Sequence, residues 1–462
     1  MRTLSRIVRS AAFAGAAAAL FATAVSAGVV IVDPTGFGDA ETIQGGIDLA
    51  SEGDTLLVAA ATYSGQGNQD LDFRGLNVHM ISLGGCGTTI VDCGGLGRGM
   101  LFDGGQDTTC TIEGITIRNA LADSGGAVFC RNFSGPKFIS CVFEASTATY
   151  WGGGMFCFKS SPVLLDCVFE SNESIGDGGR SGGYGGGLSC DNSASPRLEE
   201  CDFVDNEAVS VGGGVSVTHW SEPLFVDCTF VDNHTDDNSG GAFYGGTSSH
   251  VTFTDCSFVG NHGLSGGAFH TQSCDITATR CTFAENTAQY VGAVTHTINP
   301  ATHSYEECTF YRNSTTGIAA VMSYFDTDLT MHRCTISGNS AGGMTVFRLN
   351  DTSPVITNTI IAFSEGEPIS DCDGTAAPTF DKCVLFENDG ADSLCGTVLD
   401  TLIVDPRFCG VEEDDFTLCQ NSRCLDTENA WGEMVGAHGQ GCGPCDSAVE
   451  PATWGRVKAI YR

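Results

Sequence analysis

One hexapeptide pattern, Cys-x-Phe-x-x-Asn, recurs along this chain at a nearly fixed interval and constrains its fold more than any other feature. It reads Cys167-Val-Phe169-Glu-Ser-Asn172, Cys201-Asp-Phe203-Val-Asp-Asn206 and Cys228-Thr-Phe230-Val-Asp-Asn233. It continues from Cys256 to Asn261, from Cys281 to Asn286 and from Cys308 to Asn313. Cys334 to Asn339 carries Ile336 for the aromatic, Cys141-Val-Phe143 has Ser146 for the asparagine, and Cys383 to Asn388 is a late copy. From Cys201 to Cys334 the steps are 27, 28, 25, 27 and 26 residues; the step from Cys167 to Cys201 is 34, so one copy carries an insertion. A second marker follows each asparagine, glycines and then an apolar pair, as in Gly125-Gly126-Ala127-Val128, Gly152-Gly153-Gly154-Met155 and Gly266-Gly267-Ala268-Phe269.

Residues two apart point to the same face of a strand, so each Cys and Phe share a side. A period near 26 holds two or three short strands with their turns and leaves no room for a crossover helix. No single copy can bury its own apolar residues; stacked copies share one core. A propeller also repeats, but its blades need about 40 residues. The pattern therefore predicts an all-β, right-handed, single-stranded parallel β-helix solenoid of roughly ten or more coils. Cysteines, phenylalanines and asparagines should form ladders with rungs about 4.8 Å apart. Cys130, Cys157 and Cys190 should form another inward ladder. Stacked cysteines have parallel Cβ vectors, which disfavours bonding, so these read as buried free thiols.

The stretch from Thr42 to Val58, with Ala61-Thr62-Tyr63 after it, resembles the opening of pectin-lyase-like β-helix proteins of bacteria, in which a short amphipathic helix caps the solenoid. Ile43, Ile47 and Ala50 at helical spacing agree, and Gly53-Asp54 ends the helix. Between residues 125 and 313 the repeats are similar to those of chlamydial polymorphic outer-membrane proteins, which are surface adhesins, without that family's C-terminal membrane barrel. Asp405-Pro406-Arg407-Phe408, Asp415 to Leu418 and Ser422 to Asp426 resemble the closing segment of such solenoids, with Arg423 where proline is usual.

The ends imply export. Arg2, Arg6 and Arg9 precede an apolar run from Ala11 to Ala24, and Val25-Ser26-Ala27 offers a cleavage point, so residues 1–27 read as a signal peptide. Residues 28–404 are then the solenoid, 405–446 a Cys-rich closing segment and 447–462 a tail. The tail is similar to those that sort or anchor secreted bacterial proteins; a free end is the alternative. The expected location is extracellular or at the cell surface. A net charge of −35 repels nucleic acid and anionic lipid. It also repels a polyuronate unless Ca²⁺ bridges the two; adaptation to salt is the simpler source of the acidity.

Of the 23 cysteines, seven outside the ladders are the disulfide candidates. Cys86 and Cys93 flank a Gly-rich loop, and Cys409, Cys419, Cys424, Cys442 and Cys445 crowd the closing segment. Cys442-Gly-Pro-Cys445 has no thioredoxin-like unit and no second ligand pair beside it, which argues against redox or zinc chemistry.

Enzymes on the resembled fold act on acidic polysaccharides. A lyase needs a base for the C5 proton and a cation for the resulting anion. Counting outward from the glycine motif gives Phe129, Phe156, Ser189, Ser216, Tyr244, His270 and Thr295, a strip suited to stacking on sugar rings rather than to proton abstraction. A second cluster, His219, Trp220, His234, Asp236 and Asp237, offers sugar or Ca²⁺ ligands, a solvated acidic turn being the plainer reading. The insertion from Ser174 to Tyr184, with Arg180, is placed to overhang one face. Polygalacturonase elements appear only as fragments, Asp236-Asp237, His438-Gly439 and Arg456-Val457-Lys458, in the wrong places for one cleft. No catalytic set emerges. The sequence points to a non-catalytic glycan-binding, adhesive or structural solenoid, with a polysaccharide lyase or related carbohydrate enzyme as the alternative.

Overall fold

One coil shows how the repeat folds. Thr147–Trp151 is a strand, Gly152 to Gly154 turn a corner, and Met155–Phe158 and Val163–Leu165 follow as two strands of a second face. Val168–Glu170 forms the third face, and the chain passes inward-pointing Asn172 into Glu173–Ser174, one level along. Repetition builds a parallel sheet I of 25 strands, two from most coils, a sheet II of 14 and a sheet III of 8. This computed structural model describes residues 27–445 except 179–181, 236–238, 317–320, 343–344, 366–368 and 389–391. The expected signal peptide (save Ala27), the tail beyond Cys445 and Arg180 lie outside the described residues.

The ladders fall in register. Phe143, Phe169, Phe203, Phe230, Phe258, Phe283 and Phe310 are fully buried, with successive ring centroids 4.6 to 4.9 Å apart. Such contacts are worth about 0.5–1.5 kcal/mol each beyond area burial. Cys130, Cys157 and Cys190 pair in register along sheet I. At the corner before sheet II, each cysteine follows a residue of positive φ, as Cys228 follows Asp227 at 51°. Its thiol points inward to the carbonyl two residues back, 3.3 Å from Val226 O for Cys228. The same carbonyl accepts the Glu200 amide at 3.0 Å, so the thiol adds a second, weaker bond to it.

The glycines are required by close approach. Gly152 has φ of 65°, and a Cβ on Gly153 would lie 2.4 Å from Glu173 O and 2.6 Å from Gly186 O in the next coil. At the first coil, helix Ile43–Leu49 buries Ile43 and Ile47 over the end of the core, with Thr42 Oγ1 accepting the Gly45 amide.

The closing segment does more than end the stack. Phe408–Gly410, Asp415–Cys419 and Gln440–Cys442 form a small sheet. Its residues run back over the outer face of sheet II, where Leu418, Leu425 and Val435 bury Ile360 and Val384 in a satellite core. His438 Nε2 reaches Thr309 Oγ1 at 2.7 Å, and Arg312 pairs with Asp414 at 2.7 Å.

The disulfides are Cys409–Cys442, Cys419–Cys445 and Cys372–Cys395. Three candidates from the sequence are instead free thiols. Cys93 turns into the core at the end of Ile90–Asp92, while Cys86 stays half-exposed on the turn before it, so the pair faces different environments. Cys424 is sunk in the apolar satellite core beside Val435.

Candidate functional site

The outward column of sheet I runs in register through Leu101, Phe129, Phe156, Ser189, Ser216, Tyr244, His270 and His296. Here one expectation fails. Thr295 pairs with Phe269 and is buried inside, and His296 takes the outward place beside His270. Ala293 has replaced the second glycine of this coil, so counting from the Ala-Val pair shifted the register by one. Ser189 and Ser216 occupy outward positions yet are only 1% exposed, sunk between bulkier neighbours.

The aromatic end forms a cleft of about 380 Å³. Its floor is Phe129 stacked on Phe156 at 5.1 Å, with Phe158 6.1 Å from Phe156. Trp151, at the end of the sheet III strand, stacks on Phe156 at 5.7 Å and walls one side. Arg131, Asn132 and Asp191 line the cleft as well. The guanidiniums of Arg98 and Arg131 lie 5.3 and 5.5 Å from the Phe129 ring centroid. Arg98 is fixed by the carbonyls of Ser124 and Gly125, each at 3.0 Å, and Arg131 by Asp103 at 2.9 Å. Trp151, Arg98 and Arg131 were not found from the sequence. Trp151 precedes the glycine corner, and its ring contact with Phe156 across that corner is what places it at the edge of the strip.

Further along, Tyr244 stacks on His270 at 5.8 Å, and His270 lies 5.2 Å from His296. Burial, with a neighbouring positive or titratable group, pushes His270 down to about 3 and His296 to about 4, so both are neutral near pH 7. Burial and the nearby Tyr184 raise Tyr244 to about 12. Among the described residues, Ser216 Oγ, His270 Nδ1 and His296 Nδ1 are buried along this column without a protein hydrogen-bond partner.

Of the cluster around residues 219–238, the described members fall on different sheets. His219 and Trp220 adopt positive φ on a turn of sheet I, where His219 Nδ1 lies 2.6 Å from Asp191 Oδ1 at the edge of the aromatic cleft. His234 belongs to sheet III, within 3.4 Å of Glu207. Asp236 and Asp237 lie outside the described residues. As for Ca²⁺, the described residues bring three metal-ligating atoms within 4.8 Å of one another only at Cys409, Cys419 and Cys442, which are sulfurs rather than the oxygens Ca²⁺ takes.

Fold and surface define a parallel β-solenoid with an outward aromatic cleft. The chain belongs to the right handed beta helix region family, whose model matches residues 65–263, 234–360 and 266–399 in overlapping stretches. Similar solved structures include a pectin methylesterase from carrot, 10% identical over 82% of this chain and 89% of that one, with a TM-score of 0.24. A family 28 exopolygalacturonase of Yersinia enterocolitica is 9% identical over 81% and 78%, with a TM-score of 0.30. A mannuronic acid specific polysaccharide family 6 lyase from human gut microbiota is 8% identical over 88% and 85%, with a TM-score of 0.27. No curated protein matches the sequence.

Proposed function

We propose that this protein is an extracellular, non-catalytic solenoid that binds glycan chains along the outward strip of sheet I. The observation that carries the reading is the Phe129–Phe156–Trp151 stack beneath an open cleft, in which Phe156 is buried between partly exposed Phe129 and Trp151, with polar groups at the rim. Sugar rings present apolar C–H faces to aromatic planes while Arg131, Asn132 and Asp191 supply hydrogen bonds to hydroxyls. Export is supported by the leader-like residues 1–27 and by three disulfides in 372–445.

A polysaccharide lyase or related enzyme on acidic polysaccharide is the second reading. Its support is an arginine and a His–Asp pair at one cleft, Arg131 and His219–Asp191. Binding is favoured because the lining of the cleft is mainly aromatic and its one cationic lining residue, Arg131, is paired with Asp103.

The test is affinity electrophoresis of the folded protein against neutral and uronic-acid polysaccharides, with ultraviolet absorbance followed for unsaturated lyase products. Retardation by at least one polymer, weakened about twofold to tenfold in Trp151→Ala, is expected if one stacking contact is lost. No retardation by any polymer, or retardation indifferent to Trp151, sinks the binding reading. Appearance of the unsaturated product establishes the lyase.

A further inference from the structure

The four cysteines of the closing segment have a chemistry that neither solenoid nor cleft uses. Cys409, Cys419 and Cys442 sit one on each strand of the small sheet. Cys445 lies on the turn just beyond, where its amide donates to Asn421 Oδ1 at 3.1 Å and its carbonyl accepts from Asn421 Nδ2 at 2.8 Å. The disulfides pair Cys409 with Cys442 and Cys419 with Cys445, but the two bonds are not separate objects. Cys442 Sγ is also 3.6 Å from Cys419 Sγ and 3.9 Å from Cys445 Sγ. Sulfurs around a tetrahedral zinc, each about 2.3 Å from the metal, are separated by roughly 3.8 Å. Cys442-Gly-Pro-Cys445 lacked a second ligand pair in the sequence; the fold supplies one in Cys409 and Cys419.

We propose that, when its disulfides are reduced, this segment binds one Zn²⁺ through the thiolates of Cys409, Cys419, Cys442 and Cys445. Two disulfides and one tetrathiolate are then alternative clasps on the same sheet. The backbone that brings the sulfurs together does not depend on either: Cys419 N donates to Arg407 O at 2.9 Å, Leu418 N to Gly439 O at 2.9 Å and Gln420 N to Gly443 O at 3.1 Å. The interconversion balances with a phosphine reductant. Each disulfide takes two electrons and, with one water, yields two thiols and a phosphine oxide; Zn²⁺ then displaces four thiol protons to solvent. An all-sulfur tetrahedral set selects zinc over harder divalent ions.

The experiment uses the full chain, reduced by a phosphine without denaturant or oxygen and titrated with Co²⁺ as a spectroscopic stand-in. Tetrahedral cobalt–thiolate absorption saturating at one equivalent, and bleached by Zn²⁺, is expected. It should vanish in Cys442→Ser/Cys445→Ser and persist in Cys372→Ser/Cys395→Ser. Zinc should also protect these four cysteines of the wild-type chain from alkylation, a readout that stands if the variants do not fold. Absence of the absorption in the reduced wild-type chain overturns the proposal. So does absorption that survives Cys442→Ser/Cys445→Ser, or zinc protection that falls on other cysteines.

Discussion

Asn206 Nδ2 donates to Asn233 Oδ1 one coil along, at 2.9 Å, and the Asn206 backbone amide donates to the same oxygen at 3.1 Å. Asn233 Nδ2 in turn reaches Phe203 O at 2.8 Å and Asn261 Oδ1 at 3.1 Å. One fully buried side chain therefore satisfies groups in the coils on both sides. Asn233→Ala strips partners from several of them, and each orphaned buried group costs about 1–3 kcal/mol. Urea unfolding should show a large drop in midpoint for Asn233→Ala and a smaller one for Asn233→Ser, because Ser146 fills the equivalent place with its own hydrogen bonds. Equal stability of Asn233→Ala and wild type would mean the ladder contributes nothing.

The thiols give a sharper count. Seventeen cysteines are unpaired, and all but Cys86 are buried. Burial keeps reagent from the sixteen others, and at Cys93 and Cys110 it also pushes the thiol up to about 12, so that the nucleophilic thiolate is scarce there. Native protein should take up one equivalent of a thiol reagent, at Cys86, and unfolded, unreduced protein 17. Rapid native labelling of several sites would show that the ladder cysteines face water.

The repeat was legible because every coil solves the same packing problem with the same residue types: a thiol at the corner, a ring in the core, an amide at the turn. Reading failed where a coil solves it differently. Ala293 in a glycine slot displaced the register onto Thr295, and Cys372–Cys395 lies outside the hexapeptide. The cleft was half visible. Phe129 and Phe156 follow the strand alternation, but Trp151 and Arg98 reach it from other strands and turns, a relation set by coil geometry. Nor did any local pattern announce that the closing segment lies along sheet II, because the contacts join residues about 100 apart, as from Arg312 to Glu412.

His303 sets a pH limit. It is fully buried among Thr271, Cys274 and Tyr305, with its Nε2 3.2 Å from Thr271 Oγ1 and 3.3 Å from Cys274 O. Burial lowers its folded-state value to about 3 from 6.5. Between those values the unfolded chain binds the extra proton, so the stability tied to neutral His303 is present above pH 6.5 and lost as pH falls toward 3. His303→Gln should flatten the acid limb of a plot of urea midpoint against pH. An unchanged slope would show that His303 does not control it.

The closing segment offers the last test, since a solenoid's stability is a sum of neighbour contacts and an appended strap need not melt with the stack. Leu418 is fully buried against the outer face of sheet II, in a satellite core separate from the one inside the coils. Removing a buried leucine side chain costs about 2–5 kcal/mol, and here the loss falls on the strap alone. Leu418→Ala should therefore raise hydrogen exchange across residues 405–445, and also at Ile360 and Val384, which the strap covers. Amides of Asn172 and Asn206, coils away from the strap, should keep their protection. If exchange rises equally along the whole solenoid, strap and coils unfold as one unit, and the satellite core is merely part of the main one.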